Sequence, residues 1–312
     1  MTARSKFGGG AIIGACLVTL SACGGSGSPP GVATDATGIV SLSVSDGPVH
    51  DATKVCVSFD EIEFKQGEES TVITLDPAES VNLLDFQGMN AAPILVNQEL
   101  AAGEYQWVRL GVDAVRGSNG GNGDSGGAGC DGEASYVVME DGGVYNLYIP
   151  SGAQSGLKLV GGFTVIADGI ANFTAEIDLQ KSLKAPPGLA PDMMLRPTIR
   201  LVNNDEAGAL TGQVANELAT AESCEPSVYV FADGVTPNPI GNGDEPDPDD
   251  PVATALVEDR INDEGGTEFH YTVGFLEPGD YEAAFTCDGE NFEPEAGKPA
   301  AIVAKEVTIV DF

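Results

Sequence analysis

Apolar and polar positions alternate along much of the chain. Val40, Leu42 and Val44 alternate with Ser41, Ser43 and Ser45, the period of two expected of a strand with one buried face. Asp46-Gly47-Pro48 then supplies a turn. Val55, Val57 and Phe59 share one parity, and Ile62 and Phe64 share the other. That change predicts a bulge, or a break, near Asp60-Glu61. Short strands are also predicted at 71–75, at 81–84, and through Val108, Leu110 and Val112. Past a glycine-rich insert from Gly117 to Gly132, strands are predicted at 136–139 and 144–149. Residues 157–165 and 170–179 read as a hairpin joined at Asp168-Gly169. A strand at 195–202 precedes the polar run 203–209. Its outward residues Arg196, Thr198 and Arg200 are placed to make exposed pairs with Glu176 and Asp178. In the last third, strands are predicted near 210–215, 227–232, 252–258, 267–275, 280–287 and 301–310. Residues 233–251, rich in Pro, Gly, Asn and Asp, read as a long solvated loop. No apolar pattern persists at helical spacing. The expected fold is all-β, with two β-sandwich domains at 38–205 and 206–312.

The N-terminus departs from this pattern. Arg4 and Lys6 precede a short apolar run at 11–20, and Ser21-Ala22-Cys23 follows. The run is too short to span a bilayer, which takes about 20 residues. Small residues before the cysteine fit a signal-peptide cleavage site, so 1–22 is expected to be removed. Residues 24–37 begin Gly-Gly-Ser-Gly-Ser-Pro-Pro and read as a tether. The full chain has 14 basic residues; without Arg4 and Lys6, 12 remain against 48 acidic ones, a net of −36. Such a chain repels phosphate backbones, and it has no basic stripe, which excludes nucleic acid as a partner. Cys16 falls within the signal. Of the rest, Cys56, Cys130, Cys224 and Cys287 allow three pairings. Cys56–Cys130 and Cys224–Cys287 are expected, because each pair falls inside one proposed domain.

Few residues offer chemistry. Asn122, Asp124 and Glu133 in the glycine-rich insert partly follow the spacing of a calcium loop, without flanking helices or a fifth-position oxygen ligand. Asp244, Asp247, Asp249 and Asp250 form a second acidic run that would suit a weak calcium site or simply stay solvated. Calcium is the one cofactor that these acidic runs would suit. Trp107 shares parity with Tyr105, and an exposed Trp–Tyr strip would stack on sugar rings; packing under a loop is the alternative. His50 and His270 have no evident triad partners, and the lysines Lys158, Lys181 and Lys184 read as strand-end charges. No enzyme is expected.

Leu20-Ser21-Ala22-Cys23 resembles the lipobox of bacterial lipoproteins. The resemblance implies a diacylglycerol on Cys23, and Gly24 after it implies the outer membrane of the cell envelope. Leu100-Ala101-Ala102-Gly103-Glu104-Tyr105 is echoed by Leu276-Glu277-Pro278-Gly279-Asp280-Tyr281. This is similar to a pattern of prealbumin-like and carboxypeptidase-regulatory-like sandwiches, and the Tyr hydroxyl is expected to reach a backbone group. Several motifs occur in order: Ser45-Asp46-Gly47-Pro48, Ser151-Gly152-Ala153-Gln154-Ser155-Gly156, Gly162-Phe163-Thr164-Val165, Asp178-Leu179-Gln180-Lys181-Ser182-Leu183 and Leu195-Arg196-Pro197-Thr198. Together they resemble the bacterial lipoprotein domain of unknown function 4382 over about 38–205. The resemblance implies an exported β-sandwich and no chemistry. The expected role is binding or structural, with a glycan-binding module and a calcium-stabilised adhesion module as alternatives. An envelope protein or glycan is the expected kind of partner.

Overall fold

The computed structural model describes residues 36–47, 49–114, 130, 134–150, 156–185, 192–196, 198–241 and 247–312. The signal segment, Cys23 and nearly all of the tether lie outside the described residues.

The strand Thr37–Gly47 buries Val40, Leu42 and Val44, as its alternation requires. It is an inner strand of a four-stranded sheet ordered Ile199–Asn203, Ile170–Asp178, Thr37–Gly47, Ala92–Ala101. It runs parallel to Ile170–Asp178 and antiparallel to Ala92–Ala101. Facing it is an eight-stranded sheet built on Ala52–Gln66. That strand carries a register shift between Phe59 and Glu61 against both neighbours, Glu69–Asn82 and Trp107–Val112. The extra residue lets Val57 and Phe59 on one side of the bulge, and Ile62 and Phe64 on the other, all enter the same core. The two sheets close on a core running from Val40 to Leu195.

The second sandwich begins at Gly208. One sheet is ordered Glu258–Ile261, Thr267–Leu276, Gly208–Val214, Val307–Ile309; the other is Ala253–Leu256, Ser227–Ala232, Gly279–Thr286, Phe292–Ile302. Leu210, Val228, Val230, Tyr271, Val273 and Phe285 fill the space between them. Among the described strands, no sheet mixes residues from the two sides of 205.

Five expectations change. Residues 71–75 and 81–82 belong to one strand, Glu69–Asn82, and a 3-10 turn at Leu83–Asp85 follows. The hairpin at Asp168-Gly169 is not formed. Leu157–Leu159 pairs with Trp107–Val112, and Phe163–Val165 pairs with Gly103–Tyr105. The turn instead bonds to the start of the fold: the Asp168 N–H donates to the Thr37 carbonyl at 2.8 Å, and the Ile39 N–H donates to the Gly169 carbonyl at 2.9 Å. Segment 195–202 divides into Met193–Leu195 and Ile199–Asn203, which lie in different sheets. Likewise 252–258 divides between the two sheets of the second sandwich. Last, 301–310 divides between Phe292–Ile302 and Val307–Ile309, which lie in different sheets.

The internal echo has a shared geometry. Tyr105 Oη donates to the Ala101 carbonyl and Tyr281 Oη donates to the Glu277 carbonyl, each four residues back and each at 2.9 Å. The cysteines form the bridges Cys56–Cys130 and Cys224–Cys287, with Cα–Cα distances of 5.6 and 4.4 Å.

Candidate functional site

The Ser45-Asp46-Gly47 and Asp178–Ser182 motifs meet at one corner. Parallel pairing sets Ser45 beside Glu176 and Gly47 beside Asp178, and antiparallel pairing sets Glu176 opposite Arg200. Just past this strand, residues Leu179–Ser182 make one helical turn. Asp178 caps it: its Oδ1 accepts from the Lys181 N–H at 3.1 Å, the usual role of an acidic N-cap. Its Oδ2 lies 3.2 Å from Lys181 Nζ. Arg200 pairs with Glu176. Asp46, Glu176, Asp178 and Lys181 are all buried.

The second sandwich covers this corner. Lys181 Nζ donates to the Pro251 carbonyl, Gln180 Nε2 donates to Tyr229 Oη, and an Arg200 N–H reaches the Gly274 carbonyl at 3.5 Å. Nearby, His50 Nε2 and Ser227 Oγ are 2.8 Å apart. Ser45 Oγ donates to the carbonyls of Phe86 and Asn90. A cavity of about 60 Å³ remains between Gly47, Glu176, Asp178, Arg200 and Thr254, room for very few waters.

Three carboxyls face two cations here, so charge balance favours a proton on one acid. Asp46 is the best placed. Burial pushes its carboxyl well above the usual carboxylate range, the Asp178 charge adds to that, the Leu179 N–H opposes it, and Glu176 adds again. Neither Asp46 oxygen completes a hydrogen bond of normal geometry among the described residues. Burial also raises Glu176, against the pull of Arg200, to about 7. Tyr229 is pushed to about 12, mainly by burial and then by Asp178.

The candidates read from the sequence fall elsewhere. Asn122, Asp124, Glu133, Asp244 and the anchor Cys23 lie outside the described residues, as do the motif residues Ser151 and Ser155. Asp247 and Asp249 are in the acidic loop, where Asp247 Oδ1 accepts from the Asp249 N–H at 3.0 Å. Asp250 Oδ1 accepts from the Gly241 N–H at 2.8 Å. Among the described residues, no three acidic, Cys or His side chains converge as a metal site would need. The Trp–Tyr strip does not form. Tyr105 is 2% exposed and stacks on Phe163 at 5.0 Å, because its strand ends at 105 and another begins at Trp107. Trp107 is half-buried under Lys158 Nζ, 4.5 Å from the ring centroid. Arg200 and Glu176 are not the solvent-exposed pair that alternation predicts; Glu176 is 7% exposed, because the second sandwich lies over it. Lys181, expected as a strand-end charge, is buried in the corner. The Asp178-x-x-Lys181 spacing was the available signal for this turn.

Residues 37–197 match the model of a domain of unknown function (DUF4382). No curated protein matches the chain. Among solved structures, the chain aligns with the minor pilin GBS52 of Streptococcus agalactiae at 11% identity, over 87% of this chain and 94% of that one, with a TM-score of 0.20. It aligns with a candidate adhesin of Bacteroides thetaiotaomicron at 10% identity, over 84% and 80%, with a TM-score of 0.19.

Proposed function

The chain belongs to the family of domains of unknown function DUF4382, and on that footing we propose that it is a non-enzymatic, lipid-anchored protein of the bacterial cell envelope with a binding or structural role. One observation carries the reading. Among the residues that bear the family resemblance, Gln180 and Lys181 bond to Tyr229 and Pro251 of the second sandwich, and Ser45, Asp46 and Asp178 are buried at the same corner. The cavity they leave, about 60 Å³, is far smaller than the several hundred Å³ of a small-molecule site. Motif residues spent on cohesion support a role in which surfaces, held rigid, do the work. The two disulfides are in keeping with an oxidising compartment. A diacylglycerol and an amide-linked acyl chain on Cys23 would bury enough CH₂ groups, at about 0.8 kcal/mol each, for stable anchoring.

Fractionation of cells making the wild type and Cys23→Ser tests this. The wild type should pellet with membranes and the variant should be soluble. A variant that still pellets overturns the anchor.

A further inference from the structure

We propose that the end of the first sandwich from which the N-terminus leaves is a bilayer-contacting surface, with Trp107, Val160, Ile166 and Ile170 as its apolar contacts. This rests on the anchor at Cys23 proposed above. The Ala36 carbonyl accepts from the Ala102 N–H at 2.6 Å, and the Thr37 carbonyl accepts from the Asp168 N–H at 2.8 Å. The chain therefore enters the fold between residue 102 and the 166–170 turn. Thirteen residues, 23–35, separate the lipidated cysteine from Ala36. At about 3.5 Å each they reach at most about 45 Å. That end of the sandwich therefore stays within about 45 Å of the headgroups.

The same end exposes large aliphatic side chains. Val160 is 84% exposed, and Ile166 and Ile170 are each 69% exposed. Ile166 and Ile170 line one groove of about 590 Å³ with Gly161 and Gly162, and the exposed acids Asp205, Glu206 and Glu277 also line it. Val160 immediately precedes Gly161, and its neighbour Leu159 pairs with Val108, next to Trp107. Single exposed apolar residues are ordinary, but grouped ones mark a contact surface. Lys158 covers the Trp107 ring, and Lys65 stands opposite Trp107 on the adjoining strand. A tryptophan flanked by lysines suits the interface between headgroup and acyl chain. Glu68, Glu69, Glu104 and Asp168 are also exposed here, so the favoured surface is zwitterionic rather than anionic. With the anchor supplying proximity, weak apolar contact is enough to hold the orientation.

Trp107 is the only tryptophan, so its emission reads this surface directly. Residues 24–312 are tethered to phosphatidylcholine vesicles by an N-terminal polyhistidine tag on a nickel-chelating lipid, which needs no acylation. Trp107 emission should shift to the blue and be quenched by lipids brominated near the headgroup. The quenching should be lost when the tag is moved to the C-terminus, and lost when Val160, Ile166 and Ile170 are all replaced by Ser. Absent quenching, equal quenching from either tether, or undiminished quenching in the triple variant overturns the proposal. An emission shift that follows protein concentration without lipid assigns the patch to a second copy and also overturns it. Failure of the anchor is a separate result: unchanged fractionation of Cys23→Ser, with tethered quenching intact.

Discussion

Replacing Asp46 with Asn should stabilise the protein at pH 8 and do little at pH 5. Asp46 is 2% exposed, and beyond the approach of the Leu179 N–H neither oxygen has a described partner of normal hydrogen-bond geometry. Its neighbours include Asp178 and Glu176, both of which raise its pKa. Holding a buried polar group without partners costs about 1–3 kcal/mol, and more when it is charged. The sign follows from the direction of the shift. Because the folded protein holds this proton to higher pH than the unfolded chain does, the stabilising neutral form is fully present below the unfolded pKa. That contribution is lost as pH rises through the folded pKa. Glu176 acts in the same sense between its ordinary value of 4.5 and about 7. This corner therefore makes wild-type stability fall from pH 5 to pH 8, whereas a salt-bridged carboxylate with a depressed pKa would make it rise. The amide of Asp46→Asn carries no such charge, so the variant's advantage at pH 8 should be at least about 1 kcal/mol. Urea unfolding of the disulfide-intact chain at both pH values is the assay. Equal destabilisation of Asp46→Asn at pH 5 and pH 8 would mean that no proton is held on this carboxyl.

Three further outcomes are expected. Cys224→Ser with Cys287→Ser should lower stability by about 4 kcal/mol on the chain-entropy model for a separation of 63 residues, read from urea midpoints. Tyr105→Phe and Tyr281→Phe should each cost about 1 kcal/mol, because each hydroxyl supplies one bond to a carbonyl four residues back; a neutral result in both would remove the shared role. Gly274→Ala should destabilise by about 1–3 kcal/mol, because its Cβ would meet the Gly88 carbonyl where the two sandwiches touch, and calorimetry would register the loss as a lowered Tm.

What the sequence made legible was whatever one buried face dictates. The alternation in Thr37–Gly47 and the parity change at Asp60-Glu61 both reappear as geometry. Ala92–Ala101 was not visible. Its register slips twice against Thr37–Gly47, Asn97 has φ 53°, and Asn97-Gln98-Glu99 interrupts the pattern. Phe292–Ile302 was hidden by Pro294 and Pro299, which an edge strand tolerates. The parallel pairing of Ile170–Asp178 with Thr37–Gly47 joins residues more than 130 apart, and no local turn signal encodes it. The buried corner was hidden for a related reason. Asp178, Lys181 and Arg200 look like surface charge until a second sandwich covers them, and periodicity does not report what packs on an outward face.

If the motif residues hold the two sandwiches together, the sandwiches must unfold together. Trp107 emission reports only the first sandwich. Amide exchange in Ser227–Ala232 reports only the second. Followed side by side through urea, the two signals should be lost in one coincident transition, and Lys181→Met combined with Gln180→Ala should separate them. Two separate transitions in the wild type, unmoved by that double variant, would mean that the buried corner does not join the sandwiches.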